Sequence, residues 1–237
     1  MPQTAIRRLP ETEQRAEILM TRAKKHDDTV PPLDFVYEEK PLYEGAKRLF
    51  DIILSLTALI LLSPVIMITA AMIMIRDPGN PFFSQDRVGK NGKHFRIYKM
   101  RSMYKNAESA KAALMARNES EGCNFKIRQD PRVLGKLGKF IRSSSIDELP
   151  QLLNILKGEM SFIGPRPFIP REQEQLTADR LLVKPGLSCY WQVNGKNSLS
   201  TEMSEYCDRK YIMDRSIITD LGIVMKTLYI VMNNRNT

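Results

Sequence analysis

The chain has 237 residues with 36 basic and 27 acidic side chains, a net charge of +9; this length fits one or two domains and excludes a small stapled module. Its three cysteines, Cys123, Cys189 and Cys207, form no C-x-x-C pair. A disulfide framework and a cysteine-rich zinc site are therefore excluded, and a reducing, cytoplasm-facing location fits best. With only His26 and His94 present, a multi-histidine metal site and an H-E-x-x-H metalloprotease helix are excluded too, which leaves carboxylates, hydroxyls, Lys and Arg to carry any chemistry.

Residues 1–46 hold 7 basic and 9 acidic side chains together with Pro31-Pro32 and Pro41. They read as a charged helix near Thr12 to Lys25 followed by a linker, and no apolar h-region follows Arg7-Arg8, so no cleavable signal peptide is expected. Ile52 to Ile75 is a 24-residue stretch without charge. As one helix it would run about 36 Å, more than the roughly 30 Å of a hydrocarbon core. Ser63-Pro64 lies at its midpoint, and proline removes a helix hydrogen bond, so two half-helices compete with one kinked span. Lys47 and Arg48 precede the stretch and Arg76 follows it, which permits both ends on the cytoplasmic side. A re-entrant hairpin is the sharper reading; a kinked transmembrane helix and a soluble core helix are the alternatives.

From Arg76 to Arg166 there are 18 Lys/Arg against 9 Asp/Glu. A basic surface beside an anchor suits anionic lipid head groups or substrate phosphates; nucleic acid is the weakest candidate, because no zinc-finger, RRM or basic-zipper signature is present. Asn91-Gly92, between Asp86–Lys90 and His94–Met100, predicts a β-hairpin. Tyr104 to Asn118 predicts a helix, and Pro150 to Lys157 a short one closed by Gly158. Gly135 and Gly138 among Lys136 and Lys139 read as a loop beside a helix or as a phosphate cradle, without a Walker pattern. Gly164-Pro165-Arg166-Pro167 reads as a rigid turn, with Arg166 in an ion pair or free for a ligand. Ile217, Ile218, Leu221, Val224, Met225, Leu228, Val231 and Met232 recur at helical spacing, so this helix packs on the core, the commoner case, or lies in a bilayer interface.

The chemistry centres on Ser143-Ser144-Ser145-Ile146-Asp147-Glu148-Leu149-Pro150. One reading is a capping box, with Ser145 and Glu148 bonding each other's backbone. Such a helix would place Pro150 at its fifth position, where a backbone bond is lost; a helix starting nearer Pro150 leaves Asp147 at the entrance and free to react. The functional reading makes Asp147 a carboxylate nucleophile toward phosphorus and gives Glu148 a divalent cation. An anionic nucleophile on a diphosphate needs cations around it, and Lys99, Arg101, Arg142 and Arg166 are suitable.

Lys47-Arg48-Leu49-Phe50-Asp51, the apolar stretch with Ser63-Pro64, Gln85-Asp86-Arg87-Val88-Gly89, Lys99-Met100-Arg101-Ser102-Met103 and Asp130-Pro131-Arg132 occur in order. They are followed by Ser145-Ile146-Asp147-Glu148-Leu149-Pro150-Gln151-Leu152, Gly164-Pro165-Arg166-Pro167 and Lys184-Pro185-Gly186-Leu187. Together they resemble the bacterial sugar transferases, the monotopic phosphoglycosyl transferases, from Lys47 to the C-terminus. The resemblance implies transfer of a sugar-1-phosphate from a UDP-sugar to a polyprenyl (undecaprenyl) phosphate, with release of UMP, at the cytoplasmic face of the bacterial inner membrane. It also implies a re-entrant helix broken at Ser63-Pro64, Asp147 as nucleophile, and Glu148 as its partner at Mg²⁺. Lys99, Arg142 and Arg166 correspond to phosphate- or nucleotide-binding residues.

Two departures stand out. Lys196, which corresponds to a phosphate contact, replaces a usual Arg, keeping the charge without the planar fork, and Ser188-Cys189 replaces Thr-Gly near Trp191. The chain resembles the minimal form with a short extension. The expected fold is α/β, α-rich with a small β-hairpin or sheet: a charged extension (1–46), a re-entrant membrane hairpin (47–76), and a cytoplasmic catalytic domain with C-terminal interfacial helices (77–237). The sequence leaves open the sugar and any homo-oligomer. Two rivals stand beside this reading: Asp147 as a base in direct transfer, and a non-catalytic basic membrane adaptor for anionic lipid or an acidic partner.

Overall fold

The computed structural model describes residues 33–114, 127, 129–194 and 200–232. The charged helix expected near Thr12 to Lys25 and the phosphate contact expected at Lys196 lie outside these residues. Helix α1 (Pro41–Arg76) opens with proline at its first turn, where no backbone donor is missed, and ends at Asp77. It does not break at Ser63-Pro64. Pro64 deprives the Ile60 carbonyl of its amide partner, and the Ser63 hydroxyl donates to that same oxygen at 2.8 Å. The serine thus restores the bond the proline removes, and the helix continues through the pair.

α1 has its polarity inverted for a helix in water. Asp51, Ser55 and Thr69 are among its few buried residues, whereas Leu49, Phe50, Ile53, Ile60, Leu61, Met67 and Ile68 are exposed. Both ends rest on the same globular part. At the start, Arg48 donates to the Ile155 and Leu156 carbonyls (2.6 and 2.7 Å), and Asp51 accepts from the Ser161 hydroxyl (3.0 Å) and the Phe162 amide (3.1 Å). At the far end, Ala70 and Ile73 join Met100, Leu134 and Ile141 in one core cluster. Between them, Ala58 and Leu59 pack on a second cluster of Phe95, Ile97, Leu152, Ile155 and Met160.

The hairpin forms where the sequence predicts it. Strands β1 (Phe82–Val88) and β2 (His94–Met100) pair antiparallel, with Val88 opposite His94. Asn91 and Gly92 both take positive φ (57° and 74°), and the Lys93 amide donates to the Lys90 carbonyl at 3.2 Å, a two-residue turn that matches strand twist. Of the helix expected over Tyr104 to Asn118, α2 (Ala107–Ala113) forms; it starts three residues later than expected, and residues 115–118 lie outside the described ones. Gly135 and Gly138 lie inside α3 (Gly135–Ser143), which corrects their reading as a loop. A Cβ on Gly138 would sit 2.4 Å from the Ser102 carbonyl oxygen, so glycine there permits close packing.

A 3-10 turn (Ile146–Gln151) leads into α4 (Leu152–Lys157), closed by Gly158 at φ 85° as expected. Strands β3 (Ser161–Ile163) and β4 (Gly186–Ser188) form a short parallel pair. The two proline-glycine motifs meet there: the Gly186 amide donates to the Pro165 carbonyl at 2.9 Å, and a Cβ on Gly186 would fall 2.0 Å from the Gly164 nitrogen. Short helices α5 (Pro170–Gln173) and α6 (Tyr190–Val193) precede α7 (Thr201–Asp214), which Ser200 caps by accepting from the Met203 amide. In α8 (Ile217–Met232) Ile223 is buried and Val224 packs on the core, but Ile218, Leu221, Met225, Leu228 and Met232 are exposed, so most of the apolar stripe faces away from the core. The described chain is helix-rich, with two small sheets and one long apolar helix.

Candidate active site

The serine run ends α3 and aims the Ile146–Gln151 turn. Ser143 and Ser144 hydroxyls donate to the Phe140 carbonyl (3.1 and 2.7 Å), taking up acceptors the helix end leaves open. Ser145 then adopts the left-handed conformation (φ 57°, ψ 19°), unusual for a residue with a Cβ, and reverses the chain. The capping box does not form: Ser145 makes no side-chain cap bond, and the Glu148 amide donates to its carbonyl at 3.1 Å. Pro150 is accommodated in the 3-10 turn, which puts Asp147 in the first turn beside β2.

Lys99 of β2 donates to Glu148 Oε1 at 3.0 Å. Burial pushes the Asp147 carboxyl up to about 6; the Lys99 charge opposes this, Glu148 adds to it and Arg142 opposes it. Asp147, Glu148, Lys99 and Arg142 therefore share one electrostatic neighbourhood. The resulting carboxylate is ionised at neutral pH yet only partly hydrated, which favours nucleophilicity.

Arg166 stands on the next motif, its guanidinium over the rings of Trp191 (5.6 Å) and Phe168 (6.0 Å) and without a carboxylate partner among the described residues. Its loop is held from below. Buried Arg180 donates to the Arg166 carbonyl (3.1 Å) and to buried Asp208 (2.5 Å), and lies over Phe168. Burial raises the Asp208 carboxyl to about 6 against the pull of Arg180.

The sequence reading missed Arg87, although its motif was in view. Arg87 donates to the Pro167 carbonyl (3.2 Å) and to Gln85 (2.7 Å), with Glu172 at 3.9 Å; its buried Nε has no partner among the described residues. Burial, with Arg166 adding and Glu172 and Glu148 opposing, lowers its pKa to about 10, so Arg87 feels both Arg166 and Glu148. Arg101 lies elsewhere: it pairs with Asp77 at the end of α1 (3.3 Å) and also donates to the Asp77 carbonyl. No group of three or more His, Cys, Asp or Glu fit to hold a metal occurs among the described residues.

Asp147 and Glu148 thus lie with Lys99 and Arg142, and Arg87 links Glu148 electrostatically to Arg166. The profile of the family described as bacterial sugar transferase matches residues 42–234, and the chain belongs to that family. It is similar to galactosyl transferase CpsE of Streptococcus agalactiae (42% identical over 192 residues, 79% of this chain and 42% of CpsE). It is also similar to undecaprenyl-phosphate galactose phosphotransferase of Salmonella typhimurium (40% over 194 residues, 78% and 40%). Exopolysaccharide production protein ExoY of Rhizobium meliloti is 35% identical over 205 residues, 82% of this chain and 90% of ExoY. The chain thus spans about two fifths of the longer relatives and nearly all of ExoY.

Proposed function

We propose that this chain is a phosphoglycosyl transferase that moves a sugar-1-phosphate from a UDP-sugar to a polyprenyl phosphate in bacterial polysaccharide or glycoconjugate synthesis. The observation that carries this reading is the half-buried Asp147 beside the Lys99–Glu148 pair, on a turn forced by left-handed Ser145. An Asp147 carboxylate oxygen attacks the sugar-bearing phosphorus, and the bond from that phosphorus to the bridging oxygen breaks, so UMP leaves with the bridging oxygen. A phosphate oxygen of the lipid then attacks the aspartyl phosphosugar and frees the carboxylate. Lys99, Arg142, Arg87 and Arg166 hold the phosphates in line and offset the charge, the main work in phosphoryl transfer. Adjacent hard carboxylates fit Mg²⁺ bound jointly with substrate phosphates, as opposed to an all-protein cage, and Asp147 and Glu148 would hold it. Bound there, Mg²⁺ would neutralise diphosphate charge.

Exchange of labelled UMP into UDP-sugar, with Mg²⁺ and without lipid acceptor, tests the covalent step. Exchange with one sugar of a panel is expected; release of UMP only when the acceptor is present would instead make Asp147 a base in direct transfer. The ionised form of Asp147 reacts, so kcat/KM is expected to fall as pH drops through about 6. Lys99 opposes the upward shift, so Lys99→Met is expected to move that limb to higher pH; an unmoved limb would separate Lys99 from Asp147 ionisation.

The anchoring reading is that α1 is embedded in one leaflet only, keeping both ends on the cytoplasmic side. It is supported by the apolar face turned outward and by both helix ends resting on one globular part. Single cysteines at Glu44 and Asn80, in a Cys123→Ser background, are expected to resist an impermeant thiol reagent in intact spheroplasts and to react in inverted vesicles. Labelling of only one of them from outside would make α1 a transmembrane span.

A further inference from the structure

A cleft of about 80 Å³ opens where the start of α1 meets the loop before β4. Lys47, Arg48, Lys90, Lys184 and Arg215 line it, against the carboxylates of Glu44 and Asp51, with Asp220 beside Lys47. Most of these charges already have partners: Lys47 binds Asp220, Lys90 binds Glu44, and Arg48 binds the last carbonyls of α4. Asp51 is occupied by Ser161 and the Phe162 amide. Lys184 differs. Its ammonium has no hydrogen-bond or ion-pair partner among the described residues, and it crowds with Arg48 over Gly158, 3.5 and 3.2 Å from where a Cβ would sit. Burial lowers its pKa, Arg48 and Lys90 lower it further, and Asp51 and Glu44 offset only part. Arg215, almost fully buried, also keeps an Nε without a partner among the described residues. Five cations facing three carboxylates leave a surplus of two positive charges, with open donors on Lys184 and Arg215, which an anion would complete.

The charges that act on Lys184 are Arg48, Asp51, Lys90 and Glu44; those acting on Asp147 are Lys99, Glu148 and Arg142. The two sets share no group, and none of Asp147, Glu148, Lys99 and Arg142 lines the cleft. One wall is the first turns of α1, from Tyr43 to Asp51, which carry exposed Leu49 and Phe50 and run on directly into exposed Ile53 and Leu54. An anion with an apolar tail would satisfy both surfaces at once: its charge on Lys184 and its chains along α1.

We infer that this cleft seats the headgroup of an anionic membrane phospholipid. The assignment rests on the anchoring of α1 proposed above. The test uses the full chain in nanodiscs of phosphatidylcholine alone or with 30% phosphatidylglycerol. Phosphatidylglycerol is expected to raise the Tm, and native mass spectrometry is expected to find it retained. Lys184→Gln should lower that retention about five-fold, the effect of one cation at an anionic membrane surface. Lys139→Gln, on the exposed face of α3, should leave it unchanged. Equal retention by wild type and Lys184→Gln, or equal loss in Lys139→Gln, would overturn the site. A Tm rise with inorganic phosphate in phosphatidylcholine alone, matching that from the lipid, would make it a soluble-anion site and overturn the lipid assignment. Flotation with phosphatidylcholine vesicles reports the anchoring separately: wild type and Lys184→Gln should both float, and failure of both would refute the anchoring itself.

Discussion

Asp147→Asn is expected to lower both sugar-phosphate transfer and UMP exchange by at least about 10³-fold, because amide nitrogen and oxygen cannot replace the attacking carboxylate. The same substitution is expected to stabilise the fold. Burial raises the folded-state pKa of Asp147 from 3.8 to about 6, so the native state binds the proton more tightly than the unfolded chain does. Stability therefore falls as pH rises from about 4 through 6, and the full penalty is present at neutral pH. The asparagine variant lacks this penalty: its Tm should exceed that of wild type at pH 7.5, and the gap should close near pH 4. A variant that keeps substantial turnover after purification would remove Asp147 from the nucleophile role. One that loses turnover and also melts early would mean that the carboxylate supports the turn and not the chemistry.

The second large effect falls on Asp208, which touches no proposed substrate. It is 1% exposed and meets Arg180, 4% exposed, so removing the carboxylate strands a guanidinium in a dry interior. Asp208→Ala is expected to cost about 3–5 kcal/mol of stability and to lower the Tm by roughly 10 °C. Arg180 also holds the Arg166 carbonyl and lies over Phe168, so turnover should fall in the folded fraction as well, with KM for the UDP-sugar rising. The double change Asp208→Leu with Arg180→Met is expected to recover much of the stability and little of the KM. Recovery of both would show the pair to be structural packing with no hold on Arg166.

Much of this arrangement was legible because the signals were local. Asn91-Gly92 needs positive φ at two successive positions, few residue pairs accept that, and the hairpin follows. Gly158 closes α4 for the same reason. The grouping of Asp147, Glu148, Lys99 and Arg142 was readable from chemistry, since a diphosphate site needs cations near its carboxylates. The features that escaped depended on partners distant in sequence. Arg101 had the right charge, but Asp77 sits next to it; Arg87 had no visible partner until Pro167 and Glu172 came alongside. Two three-residue strands, Ser161–Ile163 and Gly186–Ser188, are too short to show an alternating pattern, and glycine contact decides their pairing. Ser145-x-x-Glu148 satisfied the capping pattern, yet α3 ends so close before it that the serine must reverse the chain. Pro64 looked like a break because the rule concerns the missing amide; the neighbouring hydroxyl that replaces it is a matter of geometry. For α8, apolar periodicity marks a face without telling lipid from core, since both are dry.

Ile146, the residue immediately before Asp147, packs on the cluster that α1 completes with Ala70 and Ile73. The apolar helix is therefore a wall of the globular part as well as its proposed tether, and Asp147, the proposed nucleophile, is indexed to it through one intervening side chain. A truncate beginning after Asp77 would lose the cover over Met100, Leu134 and Ile141 and the support behind Ile146 together. Solubilising this protein by trimming would dismantle the catalytic turn, whereas a detergent or lipid disc that shields the outer face of α1 leaves it intact. On the proposed anchoring, the depth at which the helix sits would set the height at which sugar phosphate and lipid phosphate meet.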